Sequence, residues 1–207
     1  GSPINGLWTY RIKSVDLANS RVIVSDDFEF IGNGPTLPGW ETTASATLTL
    51  LKNLTFYAQV DGRGNVTDFN RTSEFRDRQI PVSMEAHLKC AAYGTNPDGT
   101  CTEAGRERYM RKFGPFFKEN GDPVAGPDVD YAWMENSGYL KLREASVSYR
   151  FPRGFVQQFM RAQSAQLMLS MRNVQTWTDF TGLDPESTQF LTVPADRRWM
   201  VRFNFTF

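Results

Sequence analysis

The sequence contains few of the residues on which metal centres and most hydrolases depend. Its 207 residues include two cysteines and one histidine. A zinc site needs several convergent histidine or cysteine ligands, and a serine–histidine triad needs a positioned histidine beside its nucleophile. We therefore expect no metal, no cofactor and no enzymatic activity. The formal net charge is zero, so the sequence also lacks the basic excess that is typical of nucleic-acid-binding proteins.

The sequence also lacks an apolar run long enough to cross a membrane as a helix, which needs about 20 residues. A membrane-spanning β-strand needs only about 9 to 11 residues of alternating polarity, and such strands escape hydropathy analysis. The missing apolar run therefore argues against a helical membrane protein. It leaves open a soluble β-sandwich and an outer-membrane β-barrel.

The two cysteines, Cys90 and Cys101, lie in a polar stretch rich in glycine, asparagine and aspartate. An even number of cysteines favours a local disulfide bond and an oxidising compartment. Two free thiols are the alternative. A metal site is not favoured, because His87 is the single histidine and no second pair of ligands accompanies it.

The C-terminal segment, residues 197–207, has the clearest pattern in the chain. Its alternation predicts a β-strand, because successive side chains of a strand point to opposite faces. The apolar face carries Trp199, Val201, Phe203, Phe205 and Phe207. The polar face carries Arg198, Arg202, Asn204 and Thr206. Such a strand fits the core of a soluble sandwich, and it also fits a barrel with lipid outside and water inside.

Similar alternation predicts further strands. Residues 41–62 form a predicted hairpin that turns at Lys52-Asn53, and two more strands are predicted near 139–151 and 165–172. A short helical turn after Pro152 connects these last two strands. Apart from a predicted helix over Glu103–Phe113, residues 63–138 show no periodicity.

The connections are alternately short and long, which is the loop asymmetry of outer-membrane barrels. We therefore divide the chain into strands and a hairpin over 1–62, a long extracellular loop over 63–138, and the last three strands over 139–207. The last part includes a second loop over 174–196. A β-sandwich has no reason to place all of its long loops at one end.

Several motifs, in this order, resemble the C-terminal part of SusC/RagA-type TonB-dependent outer-membrane receptors. The resemblance rests on Gly1-Ser2-Pro3-Ile4, Trp8-Thr9-Tyr10, Val22-Ile23-Val24-Ser25-Asp26-Asp27, Phe30-Ile31-Gly32-Asn33, Tyr139-Leu140-Lys141-Leu142-Arg143-Glu144, Val147-Ser148-Tyr149, Phe151-Pro152, Arg172-Asn173-Val174, Trp177-Thr178-Asp179-Phe180-Thr181-Gly182 and Leu183-Asp184-Pro185-Glu186. The match runs the length of the chain.

The resemblance implies an all-β fold, namely an antiparallel transmembrane β-barrel segment that supplies the last strands of a 22-stranded barrel with long extracellular loops. It implies a bacterial outer-membrane receptor that imports an oligosaccharide or a peptide. This chain would then be the C-terminal part of a longer receptor or one piece of a split receptor. The implied partners are the plug and remaining barrel strands, a SusD-like lipoprotein, the TonB complex, the barrel-assembly machinery and the lipid bilayer.

Candidate functional residues follow from the strand pattern. The polar faces of the late strands carry candidate lumen-facing residues, which either contact the plug or a passing solute or pair with one another across strands: Glu144, Arg150, Arg172, Arg198 and Arg202. Cross-strand pairing is favoured. Trp177 and Phe180 in the last outer loop either stack on a sugar or belong to an aromatic girdle, and a place in the girdle or in the packing of the loop is favoured. By resemblance, Phe207 is a C-terminal assembly signal, and it also completes the apolar stripe.

Overall fold

The computed structural model describes residues 5–34, 37–79, 94–126, 129–187 and 192–207. In chain order the described strands are β1 (Gly6–Thr9), β2 (Ile12–Asp16), β3 (Arg21–Val24), β4 (Glu29–Asn33), β5 (Trp40–Leu50), β6 (Leu54–Gly64), β7 (Thr67–Phe69), β8 (Phe116–Lys118), β9 (Pro123–Val124), β10 (Met134–Asn136), β11 (Tyr139–Arg150), β12 (Ser164–Thr178) and β13 (Arg198–Thr206). The described helices are α1 (Arg71–Gln79), α2 (Glu103–Phe113) and α3 (Arg153–Phe155), with a 3₁₀ turn over Tyr131–Trp133 and a π-helical turn over Val156–Met160.

These elements fall into two compact units, each assembled from three stretches of the chain. The sheet unit takes its described residues from 39–64, 138–179 and 194–207. The mixed unit takes its described residues from 1–38, 65–137 and 180–193.

The sheet unit is built on one five-stranded sheet in the order β13-β12-β11-β6-β5. Every neighbouring pair in it is antiparallel. The hairpin β5–β6 lies where the alternation predicted it. Its tight turn passes through Leu51 and Lys52, which both adopt a left-handed backbone conformation with φ of 51° and 66°. The predicted all-β, antiparallel fold class is confirmed.

The connections of this sheet are short at one end and long at the other. Residues 51–53 and 151–163 join strands at one end, and the second of these connections contains the predicted helical turn. Strands β6 and β12 both run toward the opposite end, from which residues 65–138 and 179–197 lead onward. The predicted alternation of short and long connections is confirmed.

The register gives the sheet an apolar face and a polar face. Residues paired across neighbouring strands share a face. Three apolar rows cross all five strands: Ala46, Ala58, Ala145, Met171 and Trp199; Leu48, Phe56, Val147, Leu169 and Val201; Leu50, Leu54, Tyr149, Leu167 and Phe203. The opposite face carries rows rich in hydroxyl, amide and charged groups: Thr47, Tyr57, Ser146, Ser170 and Met200; Ser45, Gln59, Glu144, Arg172 and Arg198.

The mixed unit has a buried apolar core. Its four-stranded sheet has the order β2-β3-β8-β9, and β3 and β8 run parallel. Two-stranded sheets form from β1 with β4 and from β7 with β10. Helix α2 packs its buried Met110 into the core. The other buried side chains of this core come from β2, β3, β8 and residue 129: Ile12, Val22, Val24, Phe116 and Val129.

Helix α2 forms where the sequence predicted it. Thr102 caps its N-terminus, because the Thr102 hydroxyl accepts a hydrogen bond of 3.0 Å from the backbone N–H of Gly105. Glu103 in the first turn and Arg111 and Lys112 in the last turn complement the helix dipole.

Trp133 is fully buried and connects both long helices to the 3₁₀ turn. Its indole N–H donates to Oδ2 of Asp77 at 3.1 Å, and Nζ of Lys112 donates to the same oxygen at 2.6 Å. The ring of Phe113 meets the indole edge-to-face at a centroid distance of 6.1 Å. Asp77 is itself completely buried, so this ionic network lies inside the unit.

The described residues of 65–137 differ from the long loop, with one helix inside it, that the sequence predicted for 63–138. They carry β7–β10, α1 and α2, and residues 63 and 64 still belong to β6. The strands β7–β10 contain only two or three residues each, too few for a period of two to be recognised. Their extracellular location stays a prediction.

Strand β12 also extends to Thr178, beyond the predicted start of the last loop at residue 174. The pairing with β11 shifts between Glu144 and Leu142, where Asn173 adopts a left-handed conformation with φ of 52°. Such a β-bulge shifts the alternation of side chains by one residue. The alternating pattern was lost there, although the strand continues.

Candidate functional site

The polar face of the sheet carries a cluster of charged side chains near its long-loop end. Glu144, Arg172 and Arg198 lie in one cross-strand row on β11, β12 and β13. Nε of Arg172 donates to Oε2 of Glu144 at 3.1 Å. This contact is a cross-strand ion pair of the kind that the sequence analysis favoured, and the lumen-facing position of these residues stays a prediction.

A second ion pair lies on the same face. Nε of Arg143 donates to Oδ2 of Asp61 at 2.5 Å. Arg143 is the extra residue of a bulge in β11. Leu142 pairs with Val60 and Glu144 pairs with Gln59, so the register with β6 skips Arg143. The bulge turns Arg143 toward the face that carries Glu144, whereas regular alternation would separate neighbouring residues.

These residues line an open cavity of about 670 Å³ on the polar face. Its rim includes Asn173, whose side-chain amide donates to the backbone carbonyl of Asp196 at 2.8 Å. The lining residues are Gln59, Asp61, Arg143, Glu144, Arg172, Asn173, Ala195, Asp196, Arg198 and Met200. Three arginines face three carboxylates, so the wall offers hydrogen-bond donors and acceptors without a large net charge. It is suited to contacting a polar solute.

The structure brings only part of the predicted set to this cavity. Arg202 pairs with Met168, and Arg150 pairs with Gln166, farther along the sheet. Both keep to the polar face by alternation, but neither lines the cavity. The predicted set omitted Asp61 and Gln59, which alternation already placed on the polar face of β6. It also omitted Arg143, because sequence alternation gives no sign of the bulge.

Aromatic side chains mark both ends of the apolar face. At the short-turn end, rings follow one another at centroid distances of 5.1, 5.8 and 5.0 Å along Tyr149, Phe151, Phe155 and Phe159. At the long-loop end, Trp177 pairs with Leu140, and Trp40 lies on the same face. Trp177 and Trp40 are each about half exposed. The girdle role of Trp177 stays a prediction.

Phe180 belongs to the mixed unit, so the structure does not group it with Trp177. Its ring lies so close to Gly182 that a Cβ atom at residue 182 would meet it at 2.2 Å. The Phe180 ring thus packs against Gly182 within its own loop, and the role of Phe180 in binding or in a girdle stays a prediction. Phe207 follows the last strand and is 79% exposed, and its role as an assembly signal stays a prediction.

The motif beginning at Thr181 has a structural role that the sequence did not reveal. The backbone N–H of Thr181 donates to Oε2 of Glu135 at 2.8 Å. Nδ2 of the buried Asn70 donates to Oε1 of Glu135 and to Oγ1 of Thr181, each at 3.1 Å. Oδ1 of Asn70 also accepts from the N–H of Ser73 and so caps α1. The contacts among Asn70, Glu135 and Thr181 join residues far apart in sequence, so no local pattern could predict them.

The fold is similar to part of several solved structures. The chain is similar to a chain of the RagAB peptide importer in the 'open-open' state, with a TM-score of 0.70 and 14% identity over 98% of this chain and 22% of that chain. It is similar to a chain of the RagAB peptide importer in the 'closed-closed' state, with a TM-score of 0.62 and 17% identity over 96% of this chain and 21% of that chain. A chain of the RagAB peptide transporter is also similar, with a TM-score of 0.69 and 15% identity over 98% of this chain and 22% of that chain. No family model and no curated protein matches the sequence.

At these identities the likeness shows the fold alone. The chain has the all-β fold of a stretch that makes up about a fifth of each solved chain.

Residues 80–93 lie outside the described part of the chain. These residues include Cys90 and His87, so the Cys90–Cys101 disulfide bond stays a prediction. Among the described residues, no group of three or more histidine, cysteine, aspartate or glutamate side chains is placed to hold a metal ion. Within the same residues, no helix is long and apolar enough to cross a membrane.

Proposed function

We propose that the chain is the C-terminal barrel portion of a SusC/RagA-like, TonB-dependent receptor of the bacterial outer membrane, which imports a peptide or an oligosaccharide. The observation that carries this proposal is the sheet itself. One of its faces is apolar across all five strands and exposed, and the other is polar and ends in the charged cavity. Lipid outside and water inside is the environment that such a sheet fits.

The dimensions of the apolar face support a bilayer. Strand β5 has 11 residues between Trp40 and Leu50, which at about 3.4 Å per residue span roughly 34 Å. The 35–45° tilt of strands in outer-membrane barrels would reduce this to about 25 Å, the height of the apolar band of such barrels. The aromatic residues at both ends of the face lie where interfacial girdles are expected.

The edges of the sheet point to missing neighbours. Each of the outermost strands, β5 and β13, has one paired neighbour in the described sheet. Unpaired backbone groups cost several kcal/mol each in hydrocarbon, so both edges need further strands. We propose that the remaining barrel strands and a plug domain supply these partners.

The task of the polar wall is contact with solute rather than chemistry. Two of its arginines, Arg172 and Arg143, form ion pairs with Glu144 and Asp61, and the described lining of the cavity contains no histidine, cysteine or serine that could act as a nucleophile or base. By resemblance, a SusD-like lipoprotein would capture substrate with the receptor, the TonB complex would supply energy, and Phe207 would be recognised by the barrel-assembly machinery.

A secreted β-sandwich module is the alternative, and the exposed face counts against it. A sandwich buries its apolar face against a second sheet. Here Trp199 and Val201, on the apolar rows, are 65% and 63% exposed. The small buried cluster of this unit, Val156, Ala162 and Ala165, lies near the short-turn end instead.

The testing experiment is the intact mass of the native, detergent-extracted protein, with peptide mapping upstream of residue 1. We expect a much larger chain, or a bound companion chain, with plug-domain peptides, and co-purification of a lipoprotein. A protein that stays monomeric and soluble without detergent, with a native mass that ends at residue 1, would overturn the receptor proposal and leave the sandwich module.

A further inference from the structure

A groove in the mixed unit carries cationic side chains beside apolar ones. It has a volume of about 300 Å³, at the lower end of the range for small-ligand sites. Helix α2 contributes Arg108, Arg111 and Lys112, which lie on one side of the helix at positions i, i+3 and i+4. Residues from β2 and the 3₁₀ turn complete the lining: Ile12, Tyr131 and Ala132.

Two of the three cations already have acidic partners. Nζ of Lys112 is 2.6 Å from Oδ2 of the buried Asp77. Both Nε and Nη2 of Arg111 donate to a single oxygen, Oε1 of Glu107, at 3.0 and 2.7 Å. A guanidinium group has five N–H donors, so Arg111 retains donors for a further acceptor.

Arg108 is different, because it makes no ion pair or side-chain hydrogen bond with any other described residue. The stabilisation of a helix dipole by cations is confined to the last turn of the helix. Arg108 lies five residues before the end of α2 at Phe113, so this effect does not account for it. The groove therefore keeps one uncompensated guanidinium beside a second with spare donors.

The apolar part of the groove is firmly held. Ile12 belongs to the buried core, and Tyr131 packs against that core. The guanidinium of Arg11 lies 5.7 Å from the centre of the Tyr131 ring, and Arg11 is itself anchored by Glu29. A ligand here would meet donors on one side and a fixed apolar wall on the other.

We propose that this groove binds the carboxylate of an acidic peptide, with Arg108 as its main ligand and Arg111 as the second. Arginine pairs with carboxylates through two parallel hydrogen bonds, and a peptide also places apolar side chains next to its carboxylates. This inference rests on the proposed function in taking peptides as the imported class. It adds a preference for acidic peptides and assigns this preference to the mixed unit.

The test is direct binding to the protein extracted in detergent from its source membrane. The probes are a fluorescent tetrapeptide with one glutamate beside an isoleucine and its glutamine analogue, both with blocked C-termini. We expect the wild type to prefer the glutamate peptide about tenfold, and Arg108→Gln to reduce this preference to about twofold or less, the range expected for loss of a charge-assisted hydrogen bond.

Arg106→Gln is the matched control, because it makes the same change on α2 outside the groove lining. It should keep the wild-type preference. Equal binding of both peptides to the wild type, or an undiminished preference in Arg108→Gln, would overturn the groove inference and leave peptide uptake intact. If neither peptide binds while a uronic-acid disaccharide binds in an Arg108-dependent way, the peptide assignment is wrong. If no peptide or sugar binds at all, both the inference and the proposed uptake function fail.

Discussion

The two units of the chain differ in how far their apolar side chains are exposed. In the mixed unit, Val22, Val24 and Trp133 are completely buried. In the sheet unit, Trp199, Val201 and Phe203 are each more than half exposed although they stand in regular rows. The mixed unit excludes water from its own core. The sheet unit leaves its apolar face uncovered by the described residues.

Under the proposed function, this difference corresponds to different surroundings of the two units. Apolar surface removed from water gains about 25 cal/mol per Å², so an exposed face of three rows across five strands is unfavourable in water. A bilayer removes that penalty without a second protein layer. We therefore expect substitutions in the mixed unit to change its stability in water, and substitutions on the apolar face of the sheet unit to change its stability in lipid.

The largest effect is expected from Trp133→Ala in the mixed unit. Loss of a fully buried indole leaves a cavity and removes a hydrogen bond to Asp77, which should lower the free energy of unfolding of this unit by about 3–5 kcal/mol. Hydrogen exchange of α1 and α2 measured against denaturant concentration checks this value. Trp199→Ala is the control, since it removes an exposed tryptophan and should leave this exchange within about 0.5 kcal/mol of wild type. An equal effect of both variants would remove the contrast between the units.

An intermediate effect is expected from Val201→Arg in the sheet unit. Val201 stands in the central apolar row, and an arginine on the lipid face costs about 2–4 kcal/mol at the midplane of a bilayer. The change should lower the stability of the assembled protein, measured by denaturant titration in lipid vesicles. Its neighbour Met200 points to the polar face, so Met200→Arg should cost about 1 kcal/mol or less. If Met200→Arg proves the more harmful change, the assignment of the two faces is reversed.

The smallest effect concerns acid sensitivity of the mixed unit. Hydrogen bonds from Lys13 and then Arg11 hold the pKa of Glu29 below its usual range. Glu29 therefore contributes stability above the pKa of an unfolded glutamate, about 4.3, and loses that contribution as the pH falls through its lower folded value. Glu29→Gln should flatten the fall of unfolding free energy between about pH 5 and pH 3.

This slope is measured by denaturant titration of the two proteins at a series of pH values. Glu119→Gln is the control, because Glu119 is exposed and its carboxylate makes no hydrogen bond with another described residue. A slope unchanged by Glu29→Gln would show that the contacts of Glu29 with Arg11 and Lys13 do not contribute to folding.

Much of the sheet unit was predictable from the sequence. The hairpin β5–β6 and strand β13 follow from alternation, which is a local property. Alternation also places Glu144, Arg172 and Arg198 on the polar faces of their strands, and the structure has them in one cross-strand row. The cavity as a whole was not predictable, because Asp61 and Arg143 meet only through strand pairing across 82 positions and a bulge.

The sequence alone determined the elements whose information is local. These are the alternating faces of the long strands, the capped helix at Glu103–Phe113 and the order of short and long connections, because each follows from residues within a few positions of one another. Tertiary structure decided the rest. The buried network of Asp77, Lys112 and Trp133, the hydrogen bond between Asn70 and Thr181, and the pairing of β7 with β10 and of β3 with β8 depend on contacts between distant segments, which no local period encodes.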